Sequence, residues 1–277
     1  MTRAAQVRYY GGRRAGCLPA CRRTAIHGGA RLNTRAYTRY VFTLGALFAA
    51  WVVLWGFAPL DRHDWALENV LVLLVAPVLV LSYRRFPLSR VSYTLLFVFL
   101  CIHEIGAHYT YAEVPYDAWF RSLFGAGLNA LLGWDRNNFD RIVHFSYGLL
   151  LAYPIREVFC RVAAAKGFWS YFLPLDVTMS TSMLFELFEW WAAELFGGDL
   201  GVAYLGTQGD VWDAHKDMGL ATTGAVIAML VTAAINLAIQ SDFAREWRES
   251  LAVKHRRPLG EVEMARLRRK KQRRPSP

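Results

Sequence analysis

At 277 residues, 55% of them hydrophobic, and with a mean hydropathy of +0.19, the chain is either one soluble domain or a compact membrane protein. Several apolar runs approach the roughly 20 residues needed to cross a hydrocarbon core, which buried soluble helices seldom reach repeatedly, so the soluble domain is set aside. A net charge of +10 would suggest nucleic acid as the partner of a soluble protein, but the excess lies in the two ends, from Arg3 to Arg39 and from Lys254 to Arg274. Basic tails that flank apolar helices fix topology and meet anionic lipid, so membrane lipid is the expected partner and nucleic acid is not.

In chain order, residues 1–36 read as a basic, disordered tail with no small-residue cleavage site behind the first apolar run, so no cleaved signal peptide is expected. Residues 37–239 read as a transmembrane helix bundle, and 240–277 as a basic cytoplasmic tail. Within the bundle the apolar runs 37–58, 65–82, 92–108, 139–159, 169–195 and 211–239 predict about six spans. Residues 116–132 mix Trp119, Phe120, Leu123 and Leu128 with Asp117 and Arg121, which predicts an interfacial helix between spans three and four. The fold class is all-α, because an open strand edge cannot face lipid. Four cysteines show neither a disulfide framework nor the paired spacing of a structural zinc site.

The basic connections at Arg84–Arg90 and Arg156–Lys166 alternate with acidic or mixed ones, which predicts both termini in the cytoplasm. That topology brings ionisable residues from four helices to one depth, near the outer face. Glu104 and His108, Asp140 and His144, and Asp213 and Asp217 are each four apart, and Glu186 and Glu189 are three apart, so each pair shares a helical face. Asp210 extends the last stripe. Imidazoles and carboxylates projected inward from facing helices are how a bundle builds a one- or two-metal site, and this mixture suits zinc, manganese or iron.

The candidate ligands are therefore His108, Asp140, His144, Glu186, Asp210, Asp213 and Asp217. Glu104 or Glu189 is placed to take a proton, and Arg136 or Arg141 to hold an anionic head group. His103, Asn137, Gln208 and His215 complete the polar set. The run HEIGAH is not the zinc-protease motif, because its histidines are five apart and lie on different faces. The glycines between 197 and 209 lack the lysine of a phosphate-binding loop, and no nucleophile elbow is present.

The motifs HEIGAHYTYAEVP, WDRNNFDRIVHFSYG, FELFEWWA and YLGTQGDVWDAHKDM resemble the YjdF-like family of predicted bacterial inner-membrane proteins, over roughly residues 37–239. The resemblance implies a multi-pass inner-membrane protein and leaves the activity to be argued from the residues. Three accounts of the acidic cluster stand side by side. It is a metal-dependent hydrolase or transferase site acting on a lipid or envelope precursor, a proton- or ion-coupled transporter, or a buried network in which Arg136 and Arg141 neutralise the acids.

Overall fold

The computed structural model describes residues 34–196, 208–254 and 258–272; nearly all of the expected N-terminal tail and most of the 197–209 glycine-rich loop lie outside them. Among the described residues there are ten helices and no strand. They are α1 (Thr34–Trp55), α2 (Arg62–Ser82), α3 (Arg90–His108), α4 (Tyr116–Phe124), α5 (Leu128–Leu132), α6 (Phe139–Val162), α7 (Trp169–Phe196), α8 (Asp213–Ile239), α9 (Phe243–Leu251) and α10 (Leu259–Gln272). Four of these, α1, α2, α3 and α8, are long and apolar enough to cross a membrane. At 24 and 28 residues, α6 and α7 have the length but not the composition. Asp140, Arg141, Arg156, Glu157 and Arg161 interrupt the first, and Asp176, Glu186, Glu189 and Glu194 the second.

Local chemistry sets the helix ends. The Asp61 carboxylate accepts from the backbone N–H groups of His63 (2.7 Å) and Asp64 (3.0 Å), satisfying donors at the start of α2 that have no intrahelical partner. Ser89 does the same for α3 through the Ser92 N–H at 3.1 Å. The interfacial stretch is broken in two: Gly125 at φ 81° and Gly133 at φ 66° end α4 and α5 in the left-handed conformation. Trp119, Leu123, Phe124, Leu131 and Leu132 stay exposed along this hairpin, as an interfacial element requires.

The centre of the bundle is the crossing of α6 and α8, with α3 against α6 and α7 against both; α1 and α2 flank α3. The crossing is close because small residues face each other. Ala152, Ala221 and Ala225 are fully buried. A Cβ added at Gly148 would sit 1.8 Å from the Ala221 carbonyl oxygen, and one at Gly224 would sit 2.3 Å from that of Phe145. Here the backbones themselves touch, as they do where glycine lets membrane helices approach. Phe42, Val53, Leu73, Leu74, Val80, Leu230 and Leu237 remain exposed on the outer faces, where acyl chains cover them.

The basic end of the bundle is tied together by hydrogen bonds. Glu157 of α6 accepts from Ser89 N (2.9 Å), Ser92 Oγ (2.6 Å) and Arg161 Nη1 (2.8 Å). Arg161 also donates to Pro87 O at 2.5 Å and lies 3.9 Å over the Phe86 ring. The segment after 240 opens with a docked helix: in α9, Glu246 Oε1 accepts from Gly167 N (3.0 Å), Ser250 Oγ accepts from Phe168 N (2.9 Å), and Trp247 packs on Tyr171. Beyond it α10 is an exposed helix carrying Arg266, Arg268, Arg269 and Lys270.

Candidate functional site

The starts of α2, α6 and α8 and the ends of α3 and α7 meet at the other end of the bundle, and the ionisable residues there form two layers. In the outer layer Arg136 Nη2 donates to Asp213 Oδ1 and Arg141 Nη2 to Asp210 Oδ2. Arg141 Nη2 also reaches Asp213 Oδ1 at 3.1 Å, and Lys216 Nζ reaches Asp210 Oδ2 at 2.5 Å. The two acids that precede and begin α8 are thus matched by cations.

The Lys216 ammonium, then the Trp212 N–H and Arg141, hold the Asp210 carboxyl far below the usual carboxylate range. A depressed folded-state pKa contributes stability above the ordinary carboxylate value, and this is lost as pH falls through the lower value of the folded state. Melting temperatures measured from pH 7 down to 3 should therefore fall below about pH 4 in the native chain and fall less in Asp210→Asn. Parallel curves for the two proteins would remove Asp210 from the acid response.

The inner layer has a different character. Ligand atoms of Asp140 and His144 on α6 and of Asp217 on α8 lie within 4.8 Å of one another. His144 Nε2 is 3.4 Å from Asp140 Oδ1 and 3.6 Å from Glu186 Oε1 on α7. Asp217 is 2% exposed; its Oδ1 and Glu186 Oε1 are buried with no hydrogen-bond partner among the described residues. No lysine or arginine pairs with Asp140, Glu186, Glu189 or Asp217 among those residues. Asp140, Glu186 and Asp217 line a cavity of about 390 Å³ between α7 and α8, whose other lining includes Met183, Leu187, Glu189, Trp190, His215 and Met218. Two carboxylates and an imidazole drawn together without a cation are a donor set that fits zinc, manganese or iron.

Behind this layer lies a second group of buried polar side chains, on α2 and α3. Asp64, Glu68, Asn69, His103 and Glu104 are all buried there. His103 Nε2 faces the Glu68 carbonyl oxygen at 3.2 Å, which can only accept, so Nε2 carries the proton and Nδ1 accepts from Tyr111 Oη at 2.5 Å. Tyr111 reaches inward because Thr110 (φ 53°) and Tyr111 (φ 55°) are both left-handed. Gly106 makes room for the ring: a Cβ there would lie 2.7 Å from Tyr111 Cε1. Such strain persists only where the surroundings over-determine it. Asn69 and Trp65 lie beside the Glu104 carboxylate, but neither of its oxygens forms a hydrogen bond among the described residues.

Of the residues singled out in the sequence, Asp140, His144, Glu186, Glu189 and Asp217 converge, and Asp210, Asp213, Arg136 and Arg141 form the layer outside them. His108 does not join them. Its Nδ1 meets Trp55 O at 2.6 Å and its ring packs on Trp55 and Tyr109, so it ties α3 to the end of α1. Glu104 and His103 belong to the α2–α3 group. Asn137 holds the turn before α6, donating to Val114 O (2.9 Å) and accepting from Phe139 N (3.0 Å), and Gln208 donates to Asn137 O at 3.1 Å. His215 is exposed at the cavity mouth with its ring 5.2 Å from that of Trp212. Sequence reasoning missed Asp64, Glu68 and Tyr111. Asp64 and Glu68 carry the same four-residue spacing, but Asp64 follows Asp61, Arg62 and His63 in the sequence, a polar run that reads as a solvated turn.

Residues 40–237, which include almost all of α1 through α8, match a family model described as a predicted membrane protein, DUF2238. The chain is 34% identical over 202 residues to inner membrane protein YjdF of Escherichia coli (strain K12), an alignment covering 72% of this chain and 92% of that protein. No solved structure matches it. Every converging side chain lies within the matched stretch, and the chain belongs to the DUF2238 family of predicted membrane proteins, as its four motifs imply.

Proposed function

We propose that this protein binds a divalent metal at Asp140, His144 and Asp217, on the outer side of the inner membrane, and uses it in hydrolysis or group transfer on a lipid or envelope precursor. The observation that carries the reading is the inner layer itself: three ligand atoms within 4.8 Å, beside a cavity and without a lysine or arginine partner among the described residues. Six spans with both termini in the cytoplasm fit it. The basic groups around Arg84, Arg156 and α9 gather at the opposite end of the bundle, and the positive-inside rule assigns that end to the cytoplasm.

A divalent ion supplies Lewis acidity toward a carbonyl or phosphoryl oxygen. Glu189, on the cavity wall, takes the proton of the attacking group. Glu186 Oε1 faces the same His144 Nε2 that Asp140 faces, 3.6 Å away, so it stands as a further oxygen beside the ligand set. Arg136 and Arg141 fix Asp213 and Asp210, and so the entrance to α8, rather than waiting for substrate.

The test is metal analysis of purified protein after reconstitution with zinc, manganese or iron. Near-stoichiometric metal is expected in the native chain, with loss of metal but an unchanged melt in Asp217→Asn. A native chain that stays metal-free would remove this reading. Proton- or ion-coupled transport is a second reading, favoured by one observation: Tyr111 lies within electrostatic reach of Glu68, Glu104, Asp140 and Glu189, so the buried polar group on α2 and α3 adjoins the site. Liposome uptake that depends on a proton gradient and vanishes in Glu68→Gln would put transport first.

A further inference from the structure

The cavity between α7 and α8 has two unlike walls. One is acidic, with Asp140, Glu186, Glu189, Asp213 and Asp217. Asp213 is answered by Arg136 and Arg141; the other four have no lysine or arginine partner among the described residues. Residues 197–207, which join α7 to the turn before α8, contain no lysine or arginine at all. His144 meets only two of these four, Asp140 at 3.4 Å and Glu186 at 3.6 Å. Asp217, 2% exposed, lines this space, and its buried Oδ1 has no hydrogen-bond partner among the described residues. A carboxylate so placed in a membrane protein is costly to ionise unless a counter-charge answers it.

The other wall is apolar and open to the side. Met183 is 47% and Trp190 52% exposed on α7, one turn to either side of Glu186, and Leu187 and Met218 complete the slot. On a helix of a membrane bundle that face meets acyl chains, so the mouth opens toward lipid rather than only toward water.

We infer that the cavity binds a lipophilic cation: an amphiphile whose amine or quaternary ammonium head sits among Glu186, Glu189 and Asp217 while its apolar body lies along Met183, Leu187 and Met218. Trp190 offers its ring face to the head as the ligand enters, and the thioethers adapt to an irregular chain. A phosphate head is repelled by the same carboxylates, and the guanidiniums that would attract it are held by Asp210 and Asp213. The inference deepens the proposed reading of this site by naming its ligand class, and it holds with or without the metal.

The experiment uses the full chain in nanodiscs of neutral lipid, with empty nanodiscs as the partition control. Binding of dodecyltrimethylammonium is compared with that of dodecyl phosphate and of tetramethylammonium. The long-chain cation is expected to bind at least about tenfold more tightly than either, because only it satisfies both walls. Trp190→Ala, at an exposed position that tolerates truncation, should weaken it by about three- to tenfold. Glu189→Gln should weaken it further while metal content stays the same. Equal affinity for the cationic and anionic amphiphiles, or cation binding unchanged in both variants, overturns the inference. A metal-free chain that still selects the long-chain cation overturns the metal reading alone, and a metal-loaded chain that prefers dodecyl phosphate overturns this inference alone.

Discussion

Asp213→Asn should destabilise the protein by about 3–5 kcal/mol, the loss typical when one partner leaves a buried ion pair. The Asp213 side chain is only 4% exposed and its Oδ1 receives both Arg136 and Arg141, whose side chains are 16% and 19% exposed. An asparagine keeps the shape but removes the charge that both guanidiniums meet, and Arg141 is left to share Asp210 with Lys216. Asp217→Asn is the contrasting variant. Asp217 has no arginine among the described residues, and its neighbours Asp140 and Glu186 repel it, so the amide should leave the melt unchanged or raise it while abolishing metal binding. Thermal and denaturant unfolding in detergent, read beside metal content, separates the two aspartates. Equal stability losses in both variants would mean that the layers are one network, and the proposed division of labour would fail.

Gly148→Ala is also expected to be damaging, although it adds only one methyl group. Its Cβ would meet the Ala221 carbonyl at 1.8 Å and the Ala225 nitrogen at 2.8 Å, both backbone atoms that no rotamer change can move. Overpacking of this kind costs about 1–3 kcal/mol, with rigid backbone at the upper end. The effect also reaches the site, because Gly148 is one turn from His144 and Gly224 two turns from Asp217. Pushing α6 and α8 apart separates Asp140 and His144 from Asp217. Gly224→Ala, 2.3 Å from the Phe145 carbonyl and 2.7 Å from the Leu149 nitrogen, should reproduce both losses. Gly219→Ala, with open space around its Cβ, should cost nothing measurable in the same assays. Native-like metal content and melt in Gly148→Ala would show that the crossing relaxes freely.

The convergence of Asp140, His144, Glu186 and Asp217 was legible because helical periodicity and alternating charge in the connections are both written locally. Each fixes a face and an end of a helix, and the bundle does the rest. What was not legible depends on partners far away in sequence. Glu104 and His108 share a face by spacing, but the free carbonyl of Trp55 at the end of α1 captures the His108 ring, and no pattern within α3 records that. Gly148 and Gly224 look like ordinary glycines in apolar runs until the crossing brings each onto a carbonyl of the other helix. The role of Tyr111 depends on two left-handed residues in a turn without glycine, which residue propensities argue against. The number of spans illustrates the same limit: the apolar runs predict about six, whereas four of the described helices are long and apolar enough to cross a membrane, because α6 and α7 carry the charged groups of the site.

The pairing of Arg136 with Asp213 also bears on how the chain is made. The two residues are 77 positions apart. At roughly 5–20 residues per second of synthesis, the arginine emerges about 4–15 s before its carboxylate exists. During that interval Arg141, at the start of α6, approaches the bilayer before either of its aspartates has been made, and an unpaired guanidinium there is costly. The glycine face of α6 has nothing to pack on either. The arrival of α8 thus supplies in one step both the counter-charges and the packing face that α6 lacks until then.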